Sequence, residues 1–321
     1  MNGAPGVGRE APEPSGRWLA GPLCAVLGVL GFSFKAILIK LAYAWAPIDP
    51  VSLLALRMLY SAPFFALVAW WAARRVVAPM TGRDWRAILW LGFIGYYLAS
   101  LVDFMGLQYV SASLERLMLY LYPTLVVLLS AALLRQPITP RIVLALGLSY
   151  AGIVLVFARD LSLAGDPHSF WLGGTLVFVG AALYAVYLVG AGPVIARVGS
   201  LRFIAWAMLA STVFVLAQFA LTRPLVALGA APRIQLLSLA MAVVSTVLPT
   251  FLIAEAIKRI GANRTSLVGS LGPVFTIWLG WWLLDEPVHW IQLGGVALVL
   301  AGVTLVTVRS RPGTSSTRRA L

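Results

Sequence analysis

Stretches of about 20 apolar residues, broken by short polar clusters, recur from residue 18 to residue 308. Ten such runs can be marked, at roughly 18–43, 51–73, 86–107, 111–134, 141–158, 170–196, 203–221, 235–257, 265–284 and 288–308. Each is long enough for a helix to cross a bilayer. The polar gaps between them are too short for a soluble domain. The pattern therefore predicts an all-α integral membrane protein of ten transmembrane helices. Residues 1–16 read as a flexible leader rich in Gly, Pro and Glu, and residues 309–321 as a basic tail. The first run is long and carries charge, so it reads as a true span and not as a cleaved signal peptide.

Composition agrees. Of the 321 residues 61% are hydrophobic and only 11% charged, more apolar surface than one soluble core of this size would hide. The net charge of +13 would suggest nucleic acid in a soluble protein, but here it orients the chain. If the first span enters from the cytoplasm, 17 of the 24 Lys and Arg fall on the cytoplasmic side, 3 outside and 4 within spans. That is the positive-inside bias, and it places both termini in the cytoplasm. The tail then faces lipid headgroups, and no nucleic-acid partner is called for. Cys24, alone, excludes a disulfide framework. His168 and His289 lack the partners that a metal or a nucleophile system needs. Without such groups, and without a Walker loop, neither an enzyme nor a direct user of ATP is expected, and no cofactor or metal is implied.

The chain repeats at an offset of 150. Ala112 meets Ala262, Leu117 meets Leu267, Pro123 meets Pro273, Pro137 meets Pro287 and Gly152 meets Gly302. Upstream, Trp18 and Gly21 align with Trp171 and Gly174 at an offset of 153. The repeats are 17–158 and 168–308, five spans each. Five is odd, so the second copy enters from the opposite face. Such an inverted repeat is characteristic of transporters that work by alternating access. Gly147, Gly152, Gly294, Gly295, Ala301 and Gly302 are small residues that let helices approach, within the bundle first and in a dimer second. Monomer and homodimer both stay open.

The segment LLDEPVHWIQLGGVALVLAGVTLV (283–306) resembles the end of an EamA domain, with an acidic-Pro turn before a Gly-rich last helix. LLRQPITPRIVLALGLSYAGIVLV (133–156) is similar in the first half, with Gln136 in place of the acid. The resemblance covers nearly the whole chain and implies the drug/metabolite transporter superfamily. It further implies a bacterial inner membrane, and substrates that range from amino acids and sugars to nucleotide-sugars, organic acids and drugs.

Seven ionisable residues lie inside spans: Lys35, Lys40, Arg57, Asp103, Glu115, Arg116 and Glu255. Each costs about 2.5–3.5 kcal/mol at mid-bilayer, so each should pair, face water or snorkel. Six belong to the first repeat. The second has Ile253, Thr265 and Ser266 where the first has Asp103, Glu115 and Arg116, so the scaffold does not require them. Helical spacing groups Tyr96, Ser100 and Asp103 in one stripe, and Arg116, Tyr120 and Pro123 in another. Glu115 stands about 100° from Arg116 and cannot share its direction. Arg116 is expected to face the pathway and bind a carboxylate, with Glu115 balancing Lys35 or Arg57. Asp103 would pair with one of these or receive a substrate ammonium. Lys35 would be the deep contact, and Tyr96, Tyr120 and Tyr187 the aromatic wall. The alternative is a structural ion-pair cluster that locks helices together. Pro123, Pro249 and Pro273 are candidate hinges, and Glu255 with Lys258 or Arg259 a candidate inner latch.

The charges favour a secondary transporter, an exporter of a small polar metabolite such as an amino acid or organic acid. The small multidrug branch of the superfamily uses an acidic residue in its first helix, where this chain has Lys35 and Lys40. A nucleotide-sugar or phosphate-ester antiporter is the second transport reading. A non-transporting scaffold or sensor is the reading from another class.

Overall fold

The computed structural model describes residues 16–74, 79–134 and 139–307. The leader before residue 16, the tail after 307, and Gln136 with Pro137 lie outside them. Every regular element among the described residues is helical. The helices are α1 (Gly16–Trp45), α2 (Pro50–Arg74), α3 (Gly82–Gly92), α4 (Ala99–Gly106), α5 (Ala112–Leu119), α6 (Tyr122–Leu134), α7 (Pro140–Leu163), α8 (Pro167–Val198), α9 (Ser200–Thr222), α10 (Pro232–Ala242), α11 (Leu248–Gly269, kinked at Gly261, φ 81°), α12 (Gly272–Leu284) and α13 (Trp290–Thr307). Several join end to end. Eight resulting rods are long and apolar enough to span a membrane, and Gly272–Leu284 and Trp290–Leu305 are shorter apolar helices.

The rods deviate from regular helix at matching places. A π-helical turn, Phe93–Leu98, links α3 to α4, and another, Val243–Val247, links α10 to α11. Their starts are 150 residues apart, so the repeat extends to backbone irregularity. A π-turn widens the helix by one residue, and such turns gather at functional sites. The second shared irregularity locates two of the three candidate hinge prolines. The chain breaks at residues 120–121 and again at 270–271. Pro123 and Pro273 are the second residues of α6 and α12, just past those breaks. There the missing N–H has no helical acceptor to lose. Pro249 differs: it lies inside a continuous rod, two residues after the π-turn. Pro123 and Pro273 thus start helices after interruptions, whereas Pro249 follows an irregular turn within one.

Packing follows the repeat. α1 lies against α11 and α12, while α8 lies against α4 and α6; α2 pairs with α9, and α7 with α13. The last pair is close because of glycine. A β-carbon on Gly152 would stand 2.5 Å from the Gly295 carbonyl oxygen, inside van der Waals contact. Gly295 and Gly302 are crowded in the same seam, whereas Gly147 and Gly294 meet open space. The largest apolar core lies among α1, α2, α4 and their partners, around Ile37, Leu53, Leu54, Phe65 and Phe104.

Candidate functional site

Three helices of the first half bring their charges to one point. Lys35 projects from α1, Asp103 from α4 and Glu115 from α5. The Lys35 ammonium lies 2.7 Å from Asp103 Oδ2 and 3.1 Å from Glu115 Oε1. Glu115 is fully buried, and Lys35 keeps 18% side-chain exposure. Lys35 is thus neutralised by two carboxylates in this arrangement. The expected pairings of Glu115 and Asp103 are both met by this one lysine.

Arg116 points elsewhere, as the 100° step required. Among the described residues it makes no ion pair, and its Nε has no hydrogen-bond partner. The guanidinium carbon lies 5.5 Å from the centre of the Tyr120 ring, one helical turn on. Tyr120 donates its hydroxyl to the Gly269 carbonyl at the break before α12. Gly272, at the start of α12, leaves the room: a β-carbon there would sit 2.9 Å from Arg116 Nη2. The Gly272 carbonyl accepts the Ser33 hydroxyl of α1 at 3.1 Å. The guanidinium therefore rests where α1, α5 and the start of α12 converge.

From this point a series of tyrosines runs through the bundle. Tyr120 neighbours Tyr122 with ring centres 6.4 Å apart, Tyr122 meets Tyr184 at 5.4 Å, and Tyr184 stacks on Tyr187 at 5.5 Å. Tyr187 meets Tyr96 at 5.0 Å, with their hydroxyls 2.9 Å apart. Tyr96 belongs to the first π-turn. Tyr96, Tyr120 and Tyr187, expected to form one wall, are joined through Tyr122 and Tyr184, two residues that the sequence reading missed. Tyr184 precedes Tyr187 by three residues, so helical spacing alone offered that signal.

Arg57 stands apart from this group. It is 7% exposed, donates from Nε to Thr246 Oγ1 at 3.0 Å, and lies 5.5 Å from the centre of the Phe104 ring. Its Nη1 has no hydrogen-bond partner, and among the described residues it has no carboxylate within ion-pair distance. Thr246 lies in the second π-turn, 150 residues after Tyr96. Lys40 is half-buried, and its ammonium donates to the Val110 carbonyl at 3.0 Å. Glu255 pairs with Arg259 at 2.7 Å and Lys258 at 3.9 Å, largely in the open and remote from the buried charges.

A further carboxylate escaped notice because it read as part of an architectural turn. Asp285 ends α12 in the left-handed conformation, φ 53°, which Asp tolerates better than most residues. That reversal brings Glu286 onto the start of α5. Its Oε1 accepts the Ala112 N–H at 2.8 Å, and its Oε2 accepts the Ser113 N–H at 3.4 Å and the Ser113 hydroxyl at 2.8 Å. A carboxylate suits the unpaired N–H groups and positive dipole end of a helix. Beside it opens a cavity of about 460 Å³, bordered by Ser111, Arg159, Asp160, Asp166, Glu286 and Gln292.

Comparison with known proteins agrees with this picture of two similar halves. The EamA-like transporter family matches residues 19–158 and again residues 171–308. The uncharacterized transporter YcbK of Bacillus subtilis (strain 168) is 30% identical over 302 residues, 88% of this chain and 92% of its own. An uncharacterized transporter of Archaeoglobus fulgidus is 25% identical over 264 residues, 82% of this chain and 89% of its own. A solved crystal structure shares the fold with a TM-score of 0.61 at 20% identity, covering 89% of this chain and 96% of that one. With the domain present twice, and with apolar helices able to span a bilayer, the chain is a multi-pass membrane protein that belongs to the EamA-like transporter family, and its activity is transport and not catalysis.

Proposed function

We propose that this protein is a secondary transporter that exports a small carboxylate-bearing metabolite, an amino acid or organic acid, by alternating access. In this reading the ten apolar segments are ten spans, arranged as inverted repeats over residues 17–158 and 168–308 with both termini cytoplasmic. The membrane is the bacterial inner membrane. The matched packing of α1 and α8, and the matched π-turns, support two interchangeable halves.

One observation carries the substrate class. Arg116 is a partly exposed cation inside the bundle without a carboxylate partner among the described residues, backed by tyrosines. Within the spans four cations, Lys35, Lys40, Arg57 and Arg116, stand against three carboxylates, Asp103, Glu115 and Glu255, and Asp103 and Glu115 both go to Lys35, so positive charge is left over in a medium where charge is costly. A substrate carboxylate supplies the balance, held by the planar guanidinium fork. The Tyr120–Tyr96 series provides walls with hydroxyl handles. Glu286 on the start of α5 ties the outer ends of two spans together, as expected of a state closed to the outside.

The test is counterflow in proteoliposomes loaded with amino acids, organic acids and sugar phosphates. Arg116→Ala should abolish flux of the carboxylate substrate while the protein stays folded, and Arg116→Lys should keep charge but lose most of the flux, because a lysine lacks the bidentate fork. Undiminished flux in Arg116→Ala rejects this site. Flux of sugar phosphates alone would favour the phosphate-ester reading, and no flux in any gradient would favour a scaffold or sensor.

A further inference from the structure

A second cavity, of about 330 Å³, lies on the outer surface of the bundle between α3 and α9, away from the buried charges. It is bordered by Arg86, Leu89, Trp90, Phe93 and Phe214. Its composition is unusual: four apolar or aromatic side chains and one guanidinium. Arg86, Trp90 and Phe93 follow the spacing i, i+4, i+7 and so share a face of one rod. They cover about 10 Å along its axis. Arg86 stands one turn inside the helix start at Gly82, and Phe93 opens the π-turn. The cationic end therefore lies at the membrane interface and the aromatic end within the hydrocarbon.

The aromatic end is built. Trp90 stacks on Phe93 with centres 5.8 Å apart, and Phe93 meets Phe214 of α9 edge-on at 5.1 Å. Trp90 itself is 62% exposed, so it faces whatever surrounds the bundle. Nearby charges are already committed. Asp84, two residues before Arg86, caps its own helix through Thr81 and binds Arg197 at 2.8 Å. Arg86 is exposed and has no ion-pair partner among the described residues.

We infer that this groove is a binding site for an anionic phospholipid, with the phosphate on Arg86 and the start of an acyl chain against Trp90, Phe93 and Phe214. Charge complementarity selects an anionic lipid over a neutral one. The order of cation then aromatics along the membrane normal matches the order of headgroup then chain. On the orientation proposed above, the groove opens to the cytoplasmic leaflet, where anionic headgroups meet basic residues. The site also touches the transport machinery: Phe93 begins the π-turn whose Tyr96 bonds Tyr187.

The full-length protein in phosphatidylcholine nanodiscs tests this, with brominated acyl chains as the quencher. Subtracting the fluorescence of Trp90→Phe isolates the Trp90 signal from the other tryptophans. Brominated phosphatidylglycerol should quench Trp90 at a mole fraction about fivefold lower than brominated phosphatidylcholine, the effect of one basic residue near an anionic headgroup. Arg86→Gln should remove that preference, Arg86→Lys should retain most of it, and Arg83→Gln should leave it intact. Equal quenching by the two lipids in the unmutated protein overturns the proposal without reference to any variant. So does equal loss in Arg83→Gln and Arg86→Gln, which reports diffuse surface charge. Relief of quenching by excess inorganic phosphate would mean a free anion site and would also overturn it. None of these readouts depends on transport.

Discussion

Lys35 holds two carboxylates that have no other cation within ion-pair distance among the described residues. Removing the lysine leaves Asp103 and Glu115 buried against each other. Breaking a buried ion pair in this way typically costs about 3–5 kcal/mol, whereas replacing all its members by neutral groups costs far less. Lys35→Met is therefore expected to lower stability by about that amount, and Lys35→Met with Asp103→Asn and Glu115→Gln to recover most of it. Denaturant unfolding in micelles checks this; equal loss in the single and triple variants would mean that the cluster is not a charge unit. A second pair lies outside the spans. Asp49, between α1 and α2, accepts the Ser52 hydroxyl at 2.6 Å and Arg223 Nε at 3.0 Å. Partial burial pushes its carboxyl up, but the bonds from Ser52 and Arg223 outweigh this and hold it below the ordinary 3.8. A depressed carboxyl stabilises the fold above its ordinary value and loses that contribution as pH falls through the lower, folded one. Melting of the unmutated protein should thus fall more between pH 5 and pH 3, the range about that value, than melting of Asp49→Asn. Because both side chains are about a third exposed, the difference is small. At this scale the sequence made the candidates legible but not their partners. That Glu115 and Arg116 point apart follows from helical geometry. That Lys35, and not Arg57, receives Glu115 depends on how α1 and α2 are rotated against α5.

Among elements, the informative ones are the irregular ones. The π-turns at 93–98 and 243–247 place Tyr96 and Thr246 at equivalent positions, yet Tyr96 meets Tyr187 while Thr246 holds Arg57. One backbone device thus carries two chemistries. The 150-residue offset was readable, but apolar periodicity does not distinguish a π-turn from regular helix. The prolines illustrate the same limit. Their matching positions marked the interruptions, but the breaks themselves fall at 120–121 and 270–271, before Pro123 and Pro273. The turn after α12 acts across the bundle, since Glu286 fills the N–H groups of Ala112 and Ser113. On the proposed orientation, losing it should loosen closure of the outer face. In a Cys24→Ser background, Ser111→Cys should react with a membrane-impermeant maleimide several times faster when Glu286→Ala is added. An unchanged rate would mean that Glu286 caps α5 without holding the closure. The first repeat has neutral Gln136 at the equivalent position, so the acid belongs to one half alone.

At the scale of the whole molecule, the membrane character, the helical class, the duplication and the family were all written in the chain. Long apolar runs have few solutions in lipid, because every backbone polar group must be satisfied within the segment. A helix is the local answer, and its existence needs no knowledge of neighbours. Repetition at a constant offset and a skewed distribution of Lys and Arg are likewise one-dimensional facts. What only the tertiary structure decided was which charges neutralise each other, and therefore which cations are left without a carboxylate. Lys35, the deeper of the two lysines in the first span, meets Asp103 of α4 and Glu115 of α5 at once, which its own helix could not specify. Tyr122, Tyr184, Thr246 and Glu286 gained their places from helices far away in sequence. Local periodicity sets the direction of a side chain within its own helix. The rotation and approach of one helix against another are set by packing, down to the glycine seam of α7 and α13, and those decide what the side chain meets.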